Sequence, residues 1–418
     1  MSLRPQILQQ LHEMPAHLLT GDRVDFAVGA GNNGLADGFT FTRAGAAGCF
    51  GADGVWYDKG VDELRMDFVY GGESGYLIER GSTNNILHNC DISNVAWVVA
   101  QATKGNNVGQ SPDLANEMDS VIEDNTPASR HYVEQAINYA AANALYSASV
   151  VLQASNRDYA CIRIPALNVR CYFDLVNGTV GDEIACFGRI HKVPGTTYYV
   201  AQVLVPVGAT AASTLQIMGA TGATNGDEVY DGAGTESIRW WGAQWEIGAP
   251  SSMIRTVAAP VARPQDLLKV SWDTARLDRN DINFAIRLLL LEVPSLPFAV
   301  GSVLETVPNG GDLDSHLIYW DTSKFVYLVS DGAGGVVSTS MTPVSPPAFG
   351  TKHEMFASHV YGGMSFTGRI NGEVKAATVP AGAGSNILTH DPNRITIGST
   401  RFPCSFKCTS LEIGEMRA

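Results

Sequence analysis

The sequence predicts an all-β protein built around two β-sandwich modules, preceded by a short N-terminal helix and a Gly-rich region. Three observations carry that expectation. Runs of β-branched and aromatic residues recur roughly every 8–12 residues with turn signals between them, the spacing of a sandwich or jelly roll. The 43 glycines are scattered without a period, which suits many tight turns and excludes a collagen-like repeat. The 418 residues are 45% hydrophobic, enough to fill the cores of two or three domains.

Pro5 to Leu19 has helical character, with Ile7, Leu8, Leu11 and Met14 at near-helical spacing before Pro15 interrupts. A helix this short needs a partner surface, either a neighbouring subunit or its own domain. From Val24 to Tyr76 short strands follow: Phe39 to Arg43 alternates cleanly, and Asp53-Gly54 is a turn before an aromatic strand at Trp56. Strands are expected over Tyr146 to Gln153, Ala160 to Ile164, Val169 to Leu175, Glu183 to Ile190 and Thr197 to Val205, with a turn at Asn177-Gly178. The Ala-rich stretch Ser129 to Ala144 reads as a helix, with a strand and loop as the alternative. Ser237 to Gly248 is an aromatic strand, and Ala249 to Pro264, carrying Pro250, Pro260 and Pro264, is a candidate boundary. In the C-terminal part strands are expected over Phe284 to Val293, Phe325 to Ser330, Val336 to Thr339, Met364 to Ile370, Glu373 to Val379, Arg394 to Gly398 and Ser410 to Glu415, with Asn371-Gly372 as a hairpin turn. The expected domains are therefore 1–83, 84–255 and 256–418.

The net charge of −14 repels nucleic acid and anionic membrane, so neither is an expected partner. Seven cysteines at irregular spacing announce no disulfide framework, and buried free thiols in a reducing cytoplasm fit them; Cys404 and Cys408 lie four apart without a second pair to complete a zinc site. Polar residues run through Met1 to Leu19, which does not read as a signal peptide, and the apolar run Phe284 to Val303 is broken by Arg287, Glu292, Pro294 and Pro297, so no membrane insertion is expected.

The segment Leu77-Ile78-Glu79, Thr83-Asn84, Asp91-Ile92-Ser93 and Trp97 resembles one that recurs in structural proteins of tailed bacteriophages, and Trp241-Gly242-Ala243-Gln244-Trp245-Glu246-Ile247-Gly248 resembles the closing strand of the same modules. With Phe39 to Ala44 and Ala52-Asp53-Gly54, the first match runs from about residue 39 to 97. The series Gly368 to Glu373, Arg394 to Ser399 and Ser410 to Glu415 resembles the last strands of laminin-G and concanavalin-like folds. The resemblance implies a virion protein, assembled in the bacterial host cytoplasm: a fibre, spike or decoration subunit anchored through residues 1–83, partnered by other virion proteins, and homo-oligomeric, with a trimer as one arrangement. It implies a jelly roll of carbohydrate-binding-module type over 84–255 and binding of host-surface glycan rather than turnover. The rival expectations are a purely structural subunit and a polysaccharide-degrading enzyme on the same scaffold.

Strand alternation places Trp240, Gln244 and Glu246 on one face with Gly242. An aromatic ring beside an amide and a carboxylate is what a sugar needs, so these three residues are the candidate glycan site; packing under a loop or a neighbouring subunit is the competing reading. No cofactor is expected, except that the acidic loops with Asp227, Glu228 and Asp231 and with Asp312 and Asp314 are where calcium would sit, solvated turns being the alternative. No catalytic set is legible: there is no G-x-S-x-G and no H-E-x-x-H, and Glu246 and Glu412 have no second carboxylate at a readable spacing. Gly29 to Gly34 fits G-x-G-x-x-G but no helix pattern follows, so it reads as a loop.

Overall fold

The structure, a computed structural model, describes residues 39–70 and 74–271 and, beyond them, the backbone of the strands between 281 and 414; side chains are described within 40–268. The expected helix over Pro5 to Leu19, the Gly29 to Gly34 loop, Cys404, Asp312 and Asp314 lie outside the described residues. Among the described residues there is no α-helix, only one turn of 3₁₀ helix at Pro165–Leu167, and no helix long and apolar enough to cross a membrane. The molecule is all-β.

The first sandwich is two six-stranded antiparallel sheets. One runs in the order Phe187–Lys192, Tyr199–Val207, Ala144–Ala154, Glu236–Ile247, Met118–Glu123 and Ala102–Gly109. The other runs Thr179–Ile184, Val169–Asp174, Tyr159–Ile164, Ala211–Ala220, Tyr132–Tyr139 and Val98–Ala100. The facing sides fill one core that includes Val133, Ile137, Ile162, Phe173, Val203 and Ile217. The Ala-rich 129–144 stretch is a strand, Tyr132–Tyr139: Val133, Ile137 and Tyr139 point into this core while Glu134, Ala136 and Asn138 do not. A two-residue apolar period overrides the local helix preference of alanine.

Most other expected strands form close to their expected bounds, and the Asn177-Gly178 turn places Gly178 at a φ of 67°. The stretch expected as one strand at 183–190 is two, Thr179–Ile184 and Phe187–Lys192, in different sheets. The second hairpin, Ser365–Ile370 with Glu373–Thr378, pairs as its turn signal predicts.

Two seven-stranded antiparallel sheets make up the second sandwich. Strands from the N-terminal part belong to them: Phe39–Thr42 pairs with Leu267–Ser271, and Gly75–Ile78 pairs with both Met66–Asp67 and Phe406–Gly414. Sheet membership therefore does not follow a division at residue 83. Between 43 and 78 the chain also lays Cys49, Phe50, Trp56 and Tyr70 over the outer face of the Glu236–Ile247 sheet, closing a second core with Val151, Val200 and Trp241. The other sheet of the first sandwich has an outer face partly open to solvent at Tyr132, Glu134, Arg163 and Arg170.

Candidate functional site

Trp240, Gln244 and Glu246 lie on Glu236–Ile247, a central strand of the covered sheet, and all three are fully buried, with 0% exposure. They do not share a face. Gln244 stands opposite Ser149 and Trp241 opposite Val151, so three steps on one strand match two on its neighbour. The extra residue is a bulge at Gly242, whose φ of 67° is left-handed backbone that glycine adopts without strain. The bulge inverts the alternation. Trp240, Ala243 and Trp245 all face the sandwich core, and Trp241 faces the covering layer. The Trp240 ring lies 4.7 Å from that of Trp97, and Trp245 stacks on Tyr146 at 5.2 Å. The exposed sugar platform expected from strict alternation is therefore absent at these residues: each ring is a core side chain.

Gln244 and Glu246 take part in a buried polar seam. Glu246 accepts hydrogen bonds from the Ser251 amide and hydroxyl, both at 2.7 Å, from Gln244 Nε2 at 2.6 Å, and from the Ser82 hydroxyl. Gln244 Oε1 accepts from the Ile254 amide at 2.7 Å. Asn84 donates to the carbonyls of Ala243 and Ile254 and accepts from the amides of Ile86 and Trp245, so one side chain holds the bulged strand to the segment after it. Glu79 pairs with Arg65 at 2.8 Å and Arg263 at 2.7 Å and accepts from Ser252, while Asp266 pairs with Arg43 at 3.2 Å and with Arg65. All of these ionic side chains are at most 1% exposed. Burial by itself would raise the Glu79 carboxyl; Arg263, Arg65 and Ser252 more than reverse it and bring it down to about 2. Residues 249–256 and Arg263 of the connector expected as a domain boundary are packed into the seam, residues 257–262 are exposed, and Val261–Arg263 pairs with Ser82–Asn84.

The carboxylates of the acidic loop each have partners within the protein. Asp227 accepts from Thr224, Glu228 pairs with Arg130 and Arg170, and Asp231 accepts from the Ala128 amide. No group of three His, Cys, Asp or Glu residues among those described is arranged to hold a metal ion.

An open groove of about 520 Å³ lies where three turns meet: Asp53–Val55 of the N-terminal hairpin, 110–114, and 195–198. Two close approaches build it. The Trp56 amide donates to the Pro112 carbonyl at 2.8 Å, which docks the hairpin on the 110–114 turn. Gly54, at a φ of 75°, lies so near the 193–196 turn that a Cβ there would stand 2.2 Å from the Pro194 carbonyl oxygen. The lining mixes apolar groups (Val55, Pro112, Leu114) with polar ones (Asp53, Gln110, Thr196, Thr197) and the half-buried Tyr198. Tyr198 Oη donates to the Gln110 carbonyl at 2.7 Å, which fixes the ring along the groove wall. Hydrogen bonds from Tyr57 and the Val55 amide hold Asp53 below the usual carboxylate range. This combination of ring, carboxylate, amide and hydroxyls is the chemistry sought at Trp240, found instead on loops. No local pattern in the chain signals it, because the three turns are joined only by the fold.

No family model and no curated protein matches the chain. Solved structures that match part of the chain include one of botulinum neurotoxin type C, concerning its interaction with two ganglioside molecules, at 11% identity and a TM-score of 0.28, covering 37% of each chain. Another is the binding domain of botulinum neurotoxin DC in complex with SialylT, at 9% identity and a TM-score of 0.29, covering 37% of each chain. A third is a family 7 alginate lyase with bound product, at 14% identity and a TM-score of 0.28, covering 37% of this chain and 72% of the lyase. Matches at this level of identity and overlap carry no inference about function.

Proposed function

We propose that this chain is a virion protein of a tailed bacteriophage, a fibre, spike or decoration subunit, that binds host-surface glycan without turning it over and meets it in the groove between residues 53–55, 110–114 and 195–198. The observation that carries the binding reading is the lining of that groove. An aromatic ring, a carboxylate, an amide and two hydroxyls converge on a solvent-open cleft large enough for a saccharide unit. The virion reading rests on the bacteriophage resemblance, whose marker residues Glu79, Asn84, Trp97, Gln244 and Glu246 all hold the seam or the core together. Such a module needs an inter-sheet lock whatever its outer loops bind. Weak sites repeated in an oligomer would gain avidity.

The test is retention of host-surface polysaccharide by the full chain, with Gln110→Ala and Tyr198→Ala as variants. Gln110 is exposed, so its truncation leaves the fold intact. Both variants are expected to lose about tenfold in affinity, equivalent to about 1.4 kcal/mol, which one lost hydrogen bond or ring contact can supply. Undiminished retention by both removes the groove as the site. Release of new reducing or unsaturated ends would make the protein an enzyme.

A further inference from the structure

The outer face of the open sheet carries a row of polar side chains that the groove does not use. Strand register places Glu134 opposite Gln216, Gln216 opposite Arg163, and Arg163 opposite Arg170, one residue from each of four adjacent strands. Alongside runs the row Tyr132, Met218, Cys161 and Tyr172, of which Tyr132 is the partly exposed member. Successive rows on one face are two residues apart along each strand, so Tyr132 stands beside Glu134.

The arginines of this face are not paired alike. Arg130 and Arg170 both pair with Glu228, at 2.9 and 3.1 Å, and Glu228 also accepts from Tyr172 Oη and the Gly226 amide. Asp182 and Asp227, at the margin, accept from the amides of Asn225 and Thr224. Arg163 has no carboxylate partner among the described residues. Its Nη1 donates to Gln216 Oε1 at 2.6 Å, and Gln216 Nε2 donates to Glu134 Oε2 at 2.7 Å. The relay fixes the Gln216 amide and so orients Arg163 without neutralising it. Arg163 also faces Arg170 directly, and like charges opposite one another across strands repel. Burial, then Arg130 and Arg170, hold the Arg163 guanidinium below its ordinary pKa. Arg130 and Arg170 are thus ion-paired through Glu228, while Arg163 is held only through a neutral amide.

We propose that this row is a second binding site, in which Arg163 takes the carboxylate of an acidic polysaccharide while Gln216 and Glu134 hold the guanidinium in place and Tyr132 lies beside the sugar ring. The planar guanidinium matches a carboxylate with two parallel N–H···O bonds, and an incoming carboxylate relieves the Arg163–Arg170 repulsion. A saccharide fits better than nucleic acid, which would have to place many phosphates against an acidic chain to satisfy one arginine. The site shares no residue with the groove, so either can fail alone.

The experiment is titration of the full chain with oligogalacturonate, with the same oligosaccharide after carboxyl reduction, and with poly-glutamate, at two salt concentrations. The wild-type chain is expected to bind oligogalacturonate more weakly as salt rises and to bind the reduced sugar at least about tenfold more weakly, the loss of one charge-assisted hydrogen bond. Arg163→Gln is expected to lose about tenfold at unchanged melting temperature, and Arg163→Lys to retain part of the affinity because charge survives without the fork. Glu134→Gln, which removes a neighbouring negative charge, is expected to tighten binding about two- to threefold, a response that a purely structural Arg163 would not give. No binding of oligogalacturonate, equal binding of the reduced sugar, or unchanged affinity in Arg163→Gln overturns the proposal. Poly-glutamate binding as tight as oligogalacturonate overturns its assignment to a saccharide. If Arg163→Gln misfolds, Arg163→Lys takes its place: partial loss supports the site, and wild-type affinity overturns it.

Discussion

The two outer faces of the first sandwich come from the same alternating strands and meet opposite fates. On one sheet the outward side chains include Val151, Val200 and Trp241, and Phe50, Trp56 and Tyr70 from the N-terminal part cover them. On the other they include Tyr132, Glu134, Arg163 and Arg170, all of which keep some exposure. The covered face is apolar in its middle and ionic at its end, where Gln244 and Glu246 continue into the Glu79–Arg65–Asp266 seam. An aromatic strand beside an amide and a carboxylate is ambiguous in sequence: the same residue types suit a sugar platform and a buried interface between layers. What separates the two uses is whether another segment covers the face.

The faces should differ most at the seam. Glu79→Gln leaves Arg65 and Arg263 sharing one fewer carboxylate in a dry site, and breaking a buried pair from one side costs about 3–5 kcal/mol. Chemical denaturation should show that loss, whereas Arg163→Gln on the open face should show almost none. Equal losses for the two would mean that the open row is also a structural lock.

Gly242→Ala should cost less, about 1–3 kcal/mol, from left-handed backbone strain plus a Cβ that would stand 2.0 Å from Met253 Sδ. Thermal unfolding of Gly242→Ala with and without Met253→Ala divides the two causes. The second substitution should relieve the steric part only, and full recovery would show that the backbone at 242 is unstrained.

A weaker contrast lies in pH dependence. Asp119 is buried beneath the covered sheet and accepts from the amides of Ile92 and Asn107; burial first, then Asp91 and Glu117, raise it to about 6. Its ionised form is disfavoured in the fold, so the cost is present above pH 6 and is relieved as pH falls from 6 towards its unfolded value of 3.8. Glu79 acts in the opposite sense: its stabilisation is present above 4.5 and lost as pH falls towards 2. The two contributions together should therefore peak near about pH 4, between 3.8 and 4.5. Asp119→Asn should flatten the limb between about pH 4 and 6 while leaving the acid limb below it largely unchanged.

Much of the fold was legible in the sequence because strands and tight turns are local signals. Alternation at Phe39–Thr42 and the Asn-Gly signals at 177–178 and 371–372 specify their elements without help from distant residues, whereas the alanines of 129–144 mask the alternation of Tyr132–Tyr139. Three features were not legible. The Gly242 bulge reads in sequence as room for a ligand, yet it resorts every side chain after it. The pairing of Gly75–Ile78 with Phe406–Gly414 joins strands more than three hundred residues apart, for which no local pattern exists. Ala102–Gly109 and Ala211–Ala220 are strands whose small and polar residues give little alternation. The groove and the arginine row were invisible for the same reason as the long pairing: residues 53, 110 and 198, and residues 134, 163, 170 and 216, meet only once the sheets have formed. Conversely, Glu79, Asn84, Gln244 and Glu246, which stand out in the sequence, are side chains that the seam uses.

The sharpest test of this division of labour, in which the aromatic strand holds the module together and its loops bind, is a paired measurement. Melting temperature and host-glycan affinity would be measured together for Trp240→Ala and Gln110→Ala. Trp240 is fully buried against Trp97, so its truncation should cost about 3–5 kcal/mol and lower the melting temperature by many degrees while binding below that temperature persists. Gln110→Ala should melt with the wild type and lose about tenfold in affinity. A Trp240→Ala protein that melts normally but no longer binds glycan, beside a Gln110→Ala protein that binds unchanged, would reverse the two roles.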